Sequence, residues 1–121
     1  MRVSDGFRAY VLEQLSRLKG LLPRAMFCGI GLYAGDDFFG ILAADTLYFK
    51  VDDSNRDAYE AAGMGAFKPF ADRPMSMSYY RVPVGVLEDI DELTAWARVA
   101  IQVAKESGRK PRARKARIAR R

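Results

Sequence analysis

Apolar positions at the start of the chain recur with a helical period: Phe7, Tyr10, Val11, Leu15 and Leu18 share one side, and Arg8, Glu13 and Arg17 lie away from it. The spacing predicts an amphipathic helix from about Ser4 to Leu18. Ser4 suits its N-cap, because a hydroxyl there accepts a bond from an unpaired amide of the first turn, and Gly20 and Pro23 supply the stop. The period then shortens to two. Ala25–Tyr33, Phe38–Ala44 and Thr46–Val51 read as strands, separated by Ala34-Gly35-Asp36-Asp37 and by a turn centred on Ala44-Asp45. Connections this short close hairpins, so an antiparallel sheet is expected. Leu47, Phe49 and Val51 alternate with Thr46, Tyr48 and Lys50, as in a strand buried on one face and partly wet on the other.

Asp52-Asp53-Ser54 offers caps for a short helix over Asn55–Ala62, with Ala58 and Tyr59 inward and Gly63 as its left-handed exit. A brief strand is expected around Ala66–Phe70, and a stronger one over Met75–Val82, bounded by Pro74 and Pro83, neither of which donates to a ladder. The last helix opens on Asp89 with Glu92 three residues later, a variant of the capping box. Leu93, Trp96, Ala97, Ala100, Ile101 and Ala104 mark its inner face, widened by Val99 and Val103. Ser107-Gly108 is read as its end, and Pro111 as the residue that keeps it from resuming. The pattern predicts an α+β fold of order α-β(3)-α-β(2)-α, with helices packed on an antiparallel sheet of about five strands.

Charge changes this picture at one end. The formal charge of +5 is unevenly spread: residues 1–104 hold 11 Lys+Arg and 14 Asp+Glu, whereas residues 105–121 hold nine Lys+Arg and one Asp/Glu. The sequence divides into a domain over 1–108 and a basic tail over 109–121, which is too poor in apolar residues to form a core and is expected to be disordered in isolation. The eight cations of that tail, Arg109, Lys110, Arg112, Arg114, Lys115, Arg117, Arg120 and Arg121, are candidate nucleic-acid contacts. Without aromatic residues to stack on bases, they would bind with little sequence preference.

The chain has no histidine, which removes His-based nucleophilic pairs, acid–base work and metal ligation together. Cys28 is the single cysteine, has no partner for a disulfide or a CxxC site, and reads as a small buried hydrophobe, the alternative being a reactive thiol, which would need an exposed, electropositive setting. A reducing, cytoplasmic setting fits it, and neither a secretory leader nor an apolar run long enough for a membrane span is visible. Asp36-Asp37 and Asp52-Asp53 are carboxylate pairs of the kind a glycosidase or a magnesium site uses, but turn and cap chemistry accounts for each. Gly29-Ile30-Gly31 lacks the third glycine of a phosphate loop. Gly29 and Gly31 instead leave a strip without side chains on one strand face, open to the chain's own packing, to a partner segment or to a second copy in a homodimer. Tyr80 beside Arg81 is a further candidate partner contact, set against the reading in which the Tyr80 ring packs under a loop.

Four ordered stretches resemble the TfoX N-terminal domain family: Arg24-Ala25-Met26-Phe27-Cys28-Gly29-Ile30-Gly31-Leu32-Tyr33, Thr46-Leu47-Tyr48-Phe49-Lys50-Val51, Met77-Ser78-Tyr79-Tyr80-Arg81-Val82-Pro83, and Glu92-Leu93 with Ala95-Trp96-Ala97-Arg98. The resemblance spans about residues 4–104 and implies a fold like that of type III secretion chaperones. It also implies a regulatory role in gene expression for two-domain members, with no enzymatic activity, cofactor or metal. Cys28 stands where the family usually has glycine, and no counterpart of the second domain of the competence regulators is present, so a competence role does not follow. The expectation is a non-catalytic regulatory or adaptor module whose body binds a protein partner and whose tail adds affinity for nucleic acid. A nonspecific nucleic-acid-binding protein acting mainly through the tail is the alternative.

Overall fold

Ser4 opens the first helix as its hydroxyl suggests: Oγ accepts from the Phe7 amide at 3.2 Å, and α1 runs Asp5–Gln14. This is a computed structural model, which describes the backbone of residues 2–26, 29–67 and 78–120 and side chains as far as residue 107. The helix ends earlier than its periodicity implies. Leu15 and Leu18 follow it in turns yet remain buried, while Tyr10, expected inward, is exposed.

The predicted strand Ala25–Tyr33 is two strands. β1 (Leu21–Met26) and β2 (Gly29–Ala34) pair antiparallel from Leu21↔Ala34 to Met26↔Gly29, and Pro23 sits within β1 instead of ending the helix segment. Proline is tolerated there because β1 is an edge of the sheet, where an outward-facing position needs no donor. Cys28 and Phe27 lie outside the described residues. β3 (Asp37–Ala43) and β4 (Thr46–Lys50) follow as a hairpin, and Ala44 and Asp45 at its turn both have positive φ. β2 and β3 slip by one residue, with Tyr33↔Phe38 followed by Leu32↔Gly40, so Phe39 is a bulge residue. The bulge lets Phe39 and Leu42 enter the same core although they are three apart.

α2 (Arg56–Ala61) comes next, with Gly63 at φ +77° after its end. The brief strand expected around Ala66–Phe70 is, among the described residues, a single bridge from Ala66 to Tyr80. β5 (Tyr79–Arg81) pairs with β4, and the Met75–Met77 part of the predicted strand lies outside the described residues. α3 (Val84–Leu87) was not signalled by periodicity, being one turn long after Pro83. α4 (Ile90–Arg120) begins as expected, with Asp89 Oδ1 accepting from the amides of Asp91 and Glu92 at 3.0 and 3.2 Å. It does not end at Ser107-Gly108. Interior Gly and Pro cost about 1 and 3 kcal/mol against Ala, which is why a stop is read there, but the Ala, Arg and Lys that fill the segment are strong helix formers.

The class is therefore as expected, an α+β fold with a five-stranded antiparallel sheet in the order β1-β2-β3-β4-β5. Its strands fall four before α2 and one after, not three and two. α1, α3 and α4 join one face of the sheet through a core of Val11, Leu15, Leu32, Phe39, Phe49 and Leu93 among others. Arg17 and Asp91 tie the end of α1 to the start of α4 in an exposed ion pair, and the Gln14 amide donates to the Leu87 carbonyl at 2.9 Å. The opposite face carries a second, smaller cluster of Ile41, Ala43, Phe67 and Tyr79, with no helix residue in it.

Candidate functional site

Strand alternation decides which side chains reach the face away from the helices. The register lines Arg24, Gly31, Ile41, Tyr48 and Arg81 into one row that crosses all five strands. Beside it Tyr33 and Phe38 stack with ring centroids 4.9 Å apart and planes 18° apart, and Phe38 leads to Tyr79 at 5.3 Å. Tyr48 meets Phe67 at 4.6 Å. Two cations lie over the rings: the Arg24 guanidinium 5.3 Å from the Tyr33 centroid and the Lys50 ammonium 5.0 Å from that of Tyr79. Arg24 and Arg81 are exposed, and Tyr33, Phe38, Tyr48 and Lys50 half-buried. Burial holds the Lys50 ammonium below its ordinary pKa, and Asp52 opposes that shift.

This geometry divides the four candidate partner contacts. Gly29, Gly31 and Arg81 fall on the face away from the helices, and both glycines are used by the chain itself. A Cβ on Gly29 would overlap the Leu42 carbonyl oxygen, and one on Gly31 would come within 3.1 Å of the Phe38 ring. Tyr80 points to the helix side, its ring 6.0 Å from that of Tyr59 and packed against the main core. Its hydroxyl lies beside Arg56, whose guanidinium is held above its ordinary pKa first by a hydrogen bond to Asp53 and also by Tyr80. Tyr80 and Arg81 therefore form no common patch.

The helix side has a groove of its own. Asn55, Ala58, Tyr59, Ala95, Trp96 and Val99 enclose about 160 Å³ between α2 and α4. Tyr59 and Trp96 meet edge-on at 4.8 Å, and Val99, expected to widen the buried stripe, is instead 47% exposed at the rim. The Tyr59 hydroxyl is buried without a hydrogen-bond partner among the described residues, and burial raises its pKa. Helical periodicity marks Trp96 but not the groove, because the facing residues come from another helix.

Of the carboxylate pairs, Asp52 takes the cap role that turn chemistry suggests, while Asp53 and Asp37 form ion pairs. Asp52 Oδ1 accepts from the Ser54 amide at 2.8 Å, Asp53 pairs with Arg56, and Asp37 with Lys105 at 3.3 Å. Among the described residues no group of three or more His, Cys, Asp or Glu is placed to hold a metal ion, and no helix is long and apolar enough to cross a membrane. The backbone of α4 carries seven tail candidates, Arg109, Lys110, Arg112, Arg114, Lys115, Arg117 and Arg120, whose side chains lie outside the described residues, as does Arg121. Compared with protein families, residues 13–104 match the family model described as the TfoX N-terminal domain. No curated protein matches the chain significantly.

Proposed function

Because the chain belongs to the TfoX N-terminal domain family, matched over residues 13–104, we propose that it is a non-catalytic, cytoplasmic regulatory module in which the body binds a protein partner and the segment 109–121 adds electrostatic affinity for nucleic acid. The observation that carries this reading is the division of charge, with 14 acidic against 11 basic residues over 1–104 and nine basic against one acidic over 105–121. A cationic run of this density draws in polyanions without sequence preference and leaves selectivity to the folded body. The groove between α2 and α4 suits one apolar side chain of a protein partner, since Trp96 and Val99 put apolar surface at its mouth.

The test uses the full chain. If the tail engages about six phosphates of duplex DNA, the logarithm of affinity falls with the logarithm of salt at a slope of roughly −5. Replacing Arg112, Arg114, Arg117 and Arg120 with Gln leaves four cations in the segment and should flatten that slope by at least about a third. In parallel, Val99→Glu should abolish capture of the partner that the unaltered chain retains, with helix content unchanged. An unaltered salt slope removes the role of the tail, and equal capture by both proteins removes the groove.

A further inference from the structure

The excess of acid over residues 1–104 does not extend to every part of the surface. Between the turns that follow α1, the end of the β1–β2 ladder and the flank of α4 lies an open cavity of about 510 Å³, and the charged residues that line it are all cations: Arg17, Lys19, Arg98 and Lys105. All four are exposed. Gly20 and Gly35, both at positive φ and joined by a bond from the Gly35 amide to the Gly20 carbonyl at 3.0 Å, contribute bare backbone to its wall. Two of the cations already hold carboxylates, Arg17 that of Asp91 and Lys105 that of Asp37 at 3.3 Å. Lys19 and Arg98 make no ion pair among the described residues.

We infer that this cavity binds the phosphate backbone of duplex DNA, with Lys19 and Arg98 as its contacts and Arg17 and Lys105 beside them. The inference rests on one premise of the proposed function, that the chain binds nucleic acid, but assigns a share of that binding to the folded body. Two features select the occupant. The first is extent. Arg98, Lys105, Arg109 and Arg112 follow one another by steps that return to the same side of α4. Their positions cover about 21 Å of helix axis, the length of about six base-pair steps of B-DNA. A single small anion would meet one point of this row, whereas a polymer with evenly spaced phosphates meets it throughout. The second feature is composition. No aromatic residue lines the cavity, its Leu18 is buried and its Ile101 half-buried. Bases have nothing there to stack on, which leaves the backbone as the contact, and an acidic protein segment would find no exposed apolar anchor.

The test is fluorescence anisotropy on the full chain with a labelled duplex of about 20 base pairs, across salt from about 50 to 200 mM. Lys19→Gln with Arg98→Gln removes two phosphate contacts and should flatten the logarithmic salt slope by about 1.8. Arg24→Gln with Arg81→Gln removes the same charge from exposed positions on the far face of the sheet, and should flatten it by less than half as much. Equal flattening by the two pairs overturns the proposal, since net charge alone then accounts for the effect. A slope that Lys19→Gln with Arg98→Gln leaves unchanged, while the four substitutions at Arg112, Arg114, Arg117 and Arg120 flatten it, overturns the cavity and spares the tail. The reverse result supports the cavity and removes the tail. An oligoglutamate that displaces the labelled duplex as readily as unlabelled duplex does also overturns the proposal, and no binding by the unaltered chain overturns both readings.

Discussion

Gly29 shows how one residue can be read correctly as special and wrongly as available. Its φ of +134° is a backbone conformation that side chains rarely adopt, and the space a Cβ would need is occupied by the backbone of β3 at Leu42. Neither neighbour is a flexible side-chain end that could swing aside. Gly29→Ala is therefore expected to cost more than about 2 kcal/mol, read as a fall in the urea midpoint. Gly6, on α1 with nothing within 4 Å of where a Cβ would sit, gives the opposite sign: Gly6→Ala should gain about 0.5–1 kcal/mol. Equal midpoints for the two variants would show that β2 does not approach β3 so closely at this point.

Hairpins divide into those the residues announce and those they conceal. The β3–β4 turn is legible, since Ala44-Asp45 interrupts two alternating runs, and the structure closes it with both residues in the left-handed region at φ 52° and 51°. Alanine there costs about 1–2 kcal/mol, which Asn avoids in part by tolerating that region. Ala44→Asn should raise stability by about 0.5–1 kcal/mol, and a thermal midpoint that does not rise would refute the turn geometry. The β1–β2 hairpin is hidden, because Ala25–Tyr33 is apolar throughout and shows no change of period where the chain reverses. Pro23 misleads for a related reason: it bars a central strand but not an edge, and which strand is an edge depends on pairings far along the chain. The same limit applies to the sheet face away from the helices. Arg24, Tyr48 and Arg81 are ordinary residues in sequence, and only the register of five strands puts them in one row. Capping is local, so Ser4 and Asp89 were readable at once.

Across the whole molecule, each layer that packs on the sheet buries a tyrosine: Tyr59 on the helix side and Tyr79 on the opposite side. Burial lifts both hydroxyls well above the ordinary value of 10.0, with a smaller push on Tyr79 from Tyr33. In the unfolded chain both would ionise near pH 10, whereas in the fold both keep their protons. Above pH 10 the native state thus binds more protons than the unfolded state, and stability must fall as pH rises, by about 1.4 kcal/mol per pH unit for each tyrosine. Below about pH 9 the contribution is fully present. Lys50 acts in the reverse sense: burial lowers its pKa, so deprotonation on the way to its ordinary value of 10.5 relieves a cost in the fold. The expected profile, from urea midpoints at pH 8 to about 11.5, is level or slightly rising to about pH 10 and then steeply descending. Tyr59→Phe should keep the midpoint near neutral pH and halve the descent, leaving the part that belongs to Tyr79. Because the two tyrosines sit on opposite sides of one sheet, absorbance of tyrosinate and loss of helix should appear together. Tyrosinate forming well before the helices are lost would mean that one layer opens while the other holds, and that the two cores do not melt as a unit.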